Sequence, residues 1–305
     1  MAGTPAARWR LSATADHGLS TRPAPSARAS TLLGSTTVTD PWTLARDTAS
    51  AAGVTLTPLT TVEDADRINA VIDRTWGGQH LDREVVRALA ASGNVSWGAS
   101  DGERIVGFVL GWAGVDDDGL HVHSHMLASI PDSRHRGVGT ALKFAQRAQA
   151  LDQGIVVMRW TFDPLLARNA WLNIGKLGAV IDRFERDFYG SMQDSLNQGE
   201  RSDRAFIAWD LRREPGPRPS VAAEDLVVDN DGEPEVAGRR GDGPASIVIP
   251  REYPELRAGD AARADRWRDA IAPAIEDCLA AGLVGLAFDR ARSAYLFAPP
   301  DGGAT

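Results

Sequence analysis

Apolar residues at Ala65, Ile68, Val71, Ile72 and Trp76 recur at the spacing of one helix face. Thr61 before them supplies an N-cap. Glu63 and Asp64 put carboxylates in the first turn, where the helix dipole favours them, and Gly77-Gly78 ends the run. A short strand is expected at Thr55–Pro58 and a second helix at Asp82–Ser92. The period then shortens. Val95–Ser100 and Arg104–Trp112 read as strands around the hairpin turn Asp101-Gly102. Beyond a turn at Asp116–Gly119, Leu120–Ile130 alternates through its middle as a third strand. A helix over Gly137–Leu151, closed near Gly154, precedes the apolar, β-branched run Ile155–Phe162, which reads as a buried strand. A helix over Leu165–Lys176, stopped at Gly178, and a strand over Ala205–Leu211 complete this region.

The flanks read differently. Residues 1–40 are rich in Ala, Ser, Thr and Arg without hydrophobic periodicity, so disorder is expected. They lack the apolar stretch of a secretory signal. Residues 214–243 carry Pro215, Pro217, Pro219, acids and many glycines, a linker composition. The tail, 244–298, offers strand Ser246–Pro250, helix Asp260–Ala281, and strands Leu283–Asp289 and Ala294–Phe297. So short a segment with one helix is a poor independent core, and it is expected to dock on the main domain, 41–213. No internal repeat is present.

Composition narrows the function classes. The chain has 305 residues, is 43% hydrophobic, and carries a formal charge of −8, which argues for no nucleic-acid partner. No stretch approaches the roughly 18 apolar residues of a membrane helix. The single Cys278 excludes an intramolecular disulfide and a multi-cysteine metal site. Only Lys143 and Lys176 are lysines; the Arg bias, with the abundant Ala and Gly, fits a GC-rich bacterial coding sequence. A cytoplasmic monomer or homodimer is expected.

One segment concentrates chemistry. Ser129-Ile130-Pro131-Asp132-Ser133-Arg134-His135-Arg136-Gly137-Val138-Gly139-Thr140-Ala141-Leu142 follows a strand and opens a helix. The first amides of a helix have no intrahelical partner and lie at the positive end of its dipole. Gly137 and Gly139 leave that backbone bare for a pyrophosphate, and Arg134 and Arg136 add charge. A Walker loop is excluded because Gly-Lys-Ser/Thr is absent, and a dinucleotide fingerprint because the third glycine is missing.

The order Arg134-x-x-Gly137-x-Gly139, after a strand and Pro131-Asp132, resembles motif A of the GNAT N-acetyltransferase superfamily, whose amides hold the diphosphate of acyl-CoA. Arg168-Asn169-Ala170-Trp171-Leu172-Asn173-Ile174-Gly175-Lys176-Leu177-Gly178-Ala179 resembles motif B. The resemblance spans about residues 53–211. A finer likeness, to a bacterial subgroup of predicted acetyltransferases, rests on His123-Ser124-His125-Met126-Leu127, Trp160-Thr161-Phe162-Asp163-Pro164, Asn169-Ala170, Phe188-Tyr189-Gly190, Asp203-Arg204, Trp267-Arg268 and Gly282-Leu283-Val284. The resemblance implies an α/β (α+β) GNAT fold: a mixed, mostly antiparallel sheet flanked by helices, with a docked C-terminal β-α-β extension. It further implies acetyl-CoA, or another acyl-CoA such as succinyl-CoA, as co-substrate, and a small-molecule amine, for example an amino acid, as acceptor. Leu127, Ser129, Arg134, His135, Arg136, Gly137, Val138, Gly139, Thr140 and Asn169 are the implied CoA contacts.

The family's usual base is a Glu on the motif-A strand, and none is present here. His121, His123 and His125 stand at strand spacing on one face. A neutral imidazole suits proton removal at neutral pH, with His125 the first choice and His123 the second. Two other readings stand beside this one: half-exposed histidines without a role, and a zinc site, although no metal is expected. The family's motif-B Tyr is replaced by Ile174, and Tyr189 is the substitute candidate acid, against a reading in which its ring packs and its hydroxyl caps. Asn169 has a helix-capping alternative. Asp163 has two readings, binding a substrate ammonium or starting a turn. Arg204 reads as a carboxylate grip or, ahead of that, an exposed ion pair. Cys278 reads as core.

Overall fold

The computed structural model describes residues 40–77, 80–94, 96–130, 137–190, 201–216 and 222–300. Apart from Asp40, the expectation for residues 1–40 lies outside them.

Helix α1, Pro41–Ala51, was not foreseen from the sequence, yet its signals are local: Pro41 at the first position and Asp40 accepting from the Thr43 N–H at 2.7 Å. Strand β1, Thr55–Leu59, leads to α2, Val62–Thr75, where Thr61 and Asp64 form a full capping box. Helix α3, Arg83–Ala91, is capped by Asp82. Strands β2, Ser96–Asp101, β3, Arg104–Asp116, and β4, Gly119–Ser129, form an antiparallel meander. Helix α4, Val138–Asp152, crosses to β5, Val157–Phe162, which runs parallel to β4.

The expected helix over Leu165–Lys176 is shorter and of two kinds. Helix α5, Ala167–Ala170, continues as π-helical turns over Trp171–Lys176. There the Trp171 ring lies so close over Gly175 that any Cβ would meet it at 2.2 Å. Strand β6, Val180–Glu185, also unforeseen, precedes β7, Arg204–Asp210.

The stretch 214–243, expected as linker, carries the hairpin β8, Glu224–Asn230, and β9, Glu233–Val236. Its acids and Pro234 sit on a sheet edge, where one face and one ladder need no partner. Strand β10, Ala245–Val248, helices α6, Tyr253–Gly259, and α7, Ala261–Ala280, and strands β11, Val284–Asp289, and β12, Ala294–Ala298, follow. All strands join one sheet in the order β1-β2-β3-β4-β5-β7-β6-β11-β12-β10-β8-β9. Among the described residues, only β4–β5 and β8–β10 pair in parallel. One buried cluster lies around α2, β1–β3 and the start of α4. The other runs from β5 through β7 to α7 and the C-terminal strands.

Candidate active site

Helix α4 begins unlike the other long helices. Side chains cap α1, α2, α3 and α7, through Asp40, Thr61, Asp82 and Asp260. At α4 the N-cap is Gly137, with φ of 103° and no capping side chain, and the first turn holds no acid. An L side chain is strained at that φ, so glycine is required there. At Gly139 an added Cβ would make only ordinary contacts, 3.6 Å to Leu172 Cδ2 and 3.7 Å to Leu127 Cδ2. Among the described residues no side chain caps the start of α4, and Gly139 leaves open space beside it, the two requirements for an anion. Val138 is buried against β3, Thr140 is half-buried, and Ser129 pairs with Gly107 at the end of β4. Arg134, His135 and Arg136 lie outside the described residues. Asn169 sits inside α5, three residues past the N-cap Leu166, so the capping reading is set aside.

Strand β4 has two working faces. Its backbone bulges: Leu110 pairs with Met126 and Gly111 with Ser124, leaving His125 as the extra residue. His123 and His125 meet on one side, each ring centroid 4.9 Å from Trp112 and 5.7 Å from each other. His121 is buried beside Gly114, its Nδ1 3.2 Å from the Gly119 carbonyl. Burial first, then the charges of His125, His121 and Lys143, lowers the His123 pKa to about 4. Burial also lowers that of His125. Both rings are held neutral at pH 7, ready to accept a proton, but as weaker bases than free imidazole. An activity profile set by them therefore rises below the ordinary histidine range.

Strands β4 and β5 pair only at Val122–Met158 and His123–Arg159, and their later residues part. Arg159 beside His123 binds Asp118 at 2.8 Å, with Asp116 and Asp182 within 4 Å. Thr161, next on that face, shares a 3.3 Å hydrogen bond with the Tyr189 hydroxyl. The exposed Tyr189 ring contacts Phe188 edge-on, with the Arg204 guanidinium 5.3 Å from its centroid. Tyr189 thus lies above β5, whereas the histidines and Trp112 cluster on β3–β4.

Two alternatives change. Asp163 is buried, accepts from the Leu165 N–H and pairs with Arg268 at 2.8 Å, so it is committed to the fold rather than free for a substrate ammonium. Arg204 is buried, not exposed. Ile174 is fully buried in the core. Among the described residues, no group of three or more metal-ligating side chains converges. Cys278 is buried, its thiol pushed up to about 11 by desolvation. The sequence reading missed Trp112, Arg159 and Thr161. Trp112 was visible only as a cross-strand partner of His123, which depends on register, and the other two only as alternating positions of β5.

Residues 65–170 match the model of the acetyltransferase (GNAT) family, and the chain carries the GNAT fold. No curated protein matches the sequence. Among solved structures, a putative acetyltransferase of the GNAT family from Desulfovibrio desulfuricans is similar at 14% identity, covering 52% of this chain and 99% of its own, with a TM-score of 0.40. The ribosomal-protein-S18-alanine N-acetyltransferase from Escherichia coli gives 15% identity, 55% and 96% coverage, and a TM-score of 0.40. A putative acetyltransferase from Salmonella typhimurium, solved with its cofactor acetyl-CoA, gives 15%, 55% and 99%, and 0.41.

Proposed function

We propose that the chain is an acyl-CoA-dependent N-acyltransferase, moving an acetyl or succinyl group to the amine of a small molecule such as an amino acid. The amine attacks directly, with both substrates bound. The observation that carries this reading is the start of α4: a long helix with a glycine N-cap, no capping side chain among the described residues and no first-turn acid, within the segment matching an acetyltransferase family. Gly137, Val138, Gly139 and Thr140 would hold the diphosphate through backbone N–H groups. Leu127 and Leu172, beside Gly139, would line the arm leading to the parting of β4 and β5. The acyl thioester supplies the activated carbonyl. On the opposite face His125 or His123 takes a proton from the substrate ammonium, the neutral amine attacks the thioester carbonyl, and the C–S bond breaks to release CoA thiolate, which water protonates; Trp112 packs against both rings.

The replacement of the family's motif-B Tyr by the buried Ile174 favours one second reading, a non-catalytic acyl-CoA sensor. Thiol release from acetyl-CoA and succinyl-CoA, screened against amino acids, polyamines and peptides, separates the two. The central assignment is tested by Gly139→Val. The position has room for a Cβ within the fold. The variant should therefore stay folded while its side chain blocks the diphosphate. Unchanged CoA affinity by calorimetry in a folded variant would reject the assignment.

A further inference from the structure

Lys143 lies one turn beyond Gly139 and is 2% exposed. Its Nζ donates to Ser124 Oγ at 2.7 Å, stands 4.0 Å from Met158 Sδ, and sits 3.7 Å from the centroid of the Trp160 ring. Those partners come from both β4 and β5. The two strands pair last at His123–Arg159, so Ser124 and Trp160 are the next residues along each. The amine thus bridges the strands at the point where they begin to part. Among the described residues no carboxylate pairs with it.

A buried amine without a counter-charge is costly, and methionine would fill much the same volume without that cost. Such a group beside a cleft is a functional candidate on physical grounds. The position of Ser124 indicates what the amine does. It lies between His123 and His125 and is directed to the α4 face, while both imidazoles are directed to the other. His125 is the bulge residue, so the ladder to β3 does not fix it. Trp112 contacts both rings from one side, and the Lys143–Ser124 hydrogen bond engages the residue between them from the other.

We propose that Lys143 is a positioning residue for acyl transfer, holding Ser124 from the α4 face so that the bulge presents His123 and His125 together on the opposite face. This rests on the acyltransferase reading above. It makes the two side chains a unit: removing either Nζ or Oγ releases the same backbone. A reacting group displaced by an ångström loses about 10²-fold in rate.

The test uses the full-length chain as Lys143→Met, Ser124→Ala and the double variant. With acetyl-CoA and the acceptor found by the thiol-release screen, each single variant should lower kcat by about 10²-fold with KM for acetyl-CoA little changed. The double variant should be no worse than either single one. In histidine-labelled Ser124→Ala protein, which keeps the Lys143 charge that itself lowers the His123 pKa, the imidazole titrations of His123 and His125 should move toward the ordinary value of about 6.5. Ser124→Ala keeps the test open if Lys143→Met does not fold. Unchanged kcat, or unchanged titrations of both histidines in a folded variant, would overturn the proposal. If no amine releases thiol, the acyltransferase reading fails, and the histidine titrations still decide whether Lys143 and Ser124 position the rings.

Discussion

The two longest described helices bury basic side chains, and Arg268 on α7 and Lys143 on α4 are treated in opposite ways; Arg147, also buried on α4, donates to the Leu211 and Arg213 carbonyls. On α7, Arg268 is 3% exposed and meets the Asp163 carboxylate at 2.8 Å, with the Tyr253 hydroxyl 3.2 Å away. On α4, Lys143 is 2% exposed and meets a hydroxyl, a thioether and an aromatic face. The arginine joins the C-terminal segment to the turn after β5. That turn is held a second time by the Tyr295 hydroxyl, which donates to the Pro164 carbonyl at 2.6 Å. Burial, and then the Asp163 charge, raises the Tyr295 pKa well above the usual phenol range, so the donor is retained. Paired charge here serves to fix one segment against another. The unpaired amine lies where two strands separate beside the candidate site. It serves no such joint, and burial pushes its pKa well below the ordinary lysine range.

The largest effect should come from breaking the paired side. Arg268→Met leaves the Asp163 carboxylate buried without its cation. Loss of one partner of a buried pair typically costs about 3–5 kcal/mol. Urea unfolding of the full chain should show a loss of that order. A loss below about 1 kcal/mol, the range of exposed pairs, would mean that the pair is solvated and the contrast with Lys143 is false.

The same contrast explains what the sequence revealed and what it concealed. His123 and His125 could be assigned to one face because strand period is a local property, and Gly137 and Gly139 announced a bare helix start. Lys143 was hidden. A lysine in a helix is ordinarily read as solvent-facing or snorkelling, and only the packing of α4 on β4 buries its amine. The Asp163–Arg268 pair joins residues 105 positions apart, and no local pattern encodes it. Strand β6 was missed because Ile181 alone of its residues is buried and Asp182-Arg183 interrupt the alternation. The hairpin β8–β9 was missed because an edge needs few apolar residues; Leu226 and Val227 supply its buried ones.

The next effect concerns the unpaired side and is read against pH. The folded-state pKa of Lys143 lies below its unfolded value, so between the two the unfolded chain binds more protons and stability rises with pH. The slope reaches at most about 1.4 kcal/mol per pH unit. Two other groups bound the window. His123, lowered to about 4, contributes a rise of the same sign that ends near the unfolded histidine value. Cys278, raised to about 11, contributes a fall above the ordinary thiol value. Below the ordinary lysine value, therefore, the stability of wild type minus that of Lys143→Met should climb with pH toward that value. Ser124, Met158 and Trp160, which face the amine, are uncharged; His123, whose pKa the Lys143 charge lowers, titrates well below this range. A flat difference would place the folded-state pKa near the unfolded one, and the amine would be as comfortable as Arg268.

The smallest effect should come from removing both members of the pair at once. Asp163→Asn keeps an oxygen to accept from the Leu165 N–H, now 2.9 Å from the carboxylate. Arg268→Met keeps most of the side-chain length along α7. The double variant has neither an unpaired charge nor a lost turn bond. Neutral replacement of a buried ion pair is often close to neutral in stability. Its unfolding free energy should therefore lie within about 1 kcal/mol of wild type, with most of the loss in Arg268→Met recovered. The Tyr295–Pro164 hydrogen bond remains to hold the same turn. If the double variant is as unstable as Arg268→Met, the arginine acts through contacts other than Asp163. The Tyr253 hydroxyl, 3.2 Å from the guanidinium, would then be the partner to test. If it recovers, Arg268 acts on stability through Asp163, and its charge can be removed together with its counter-charge.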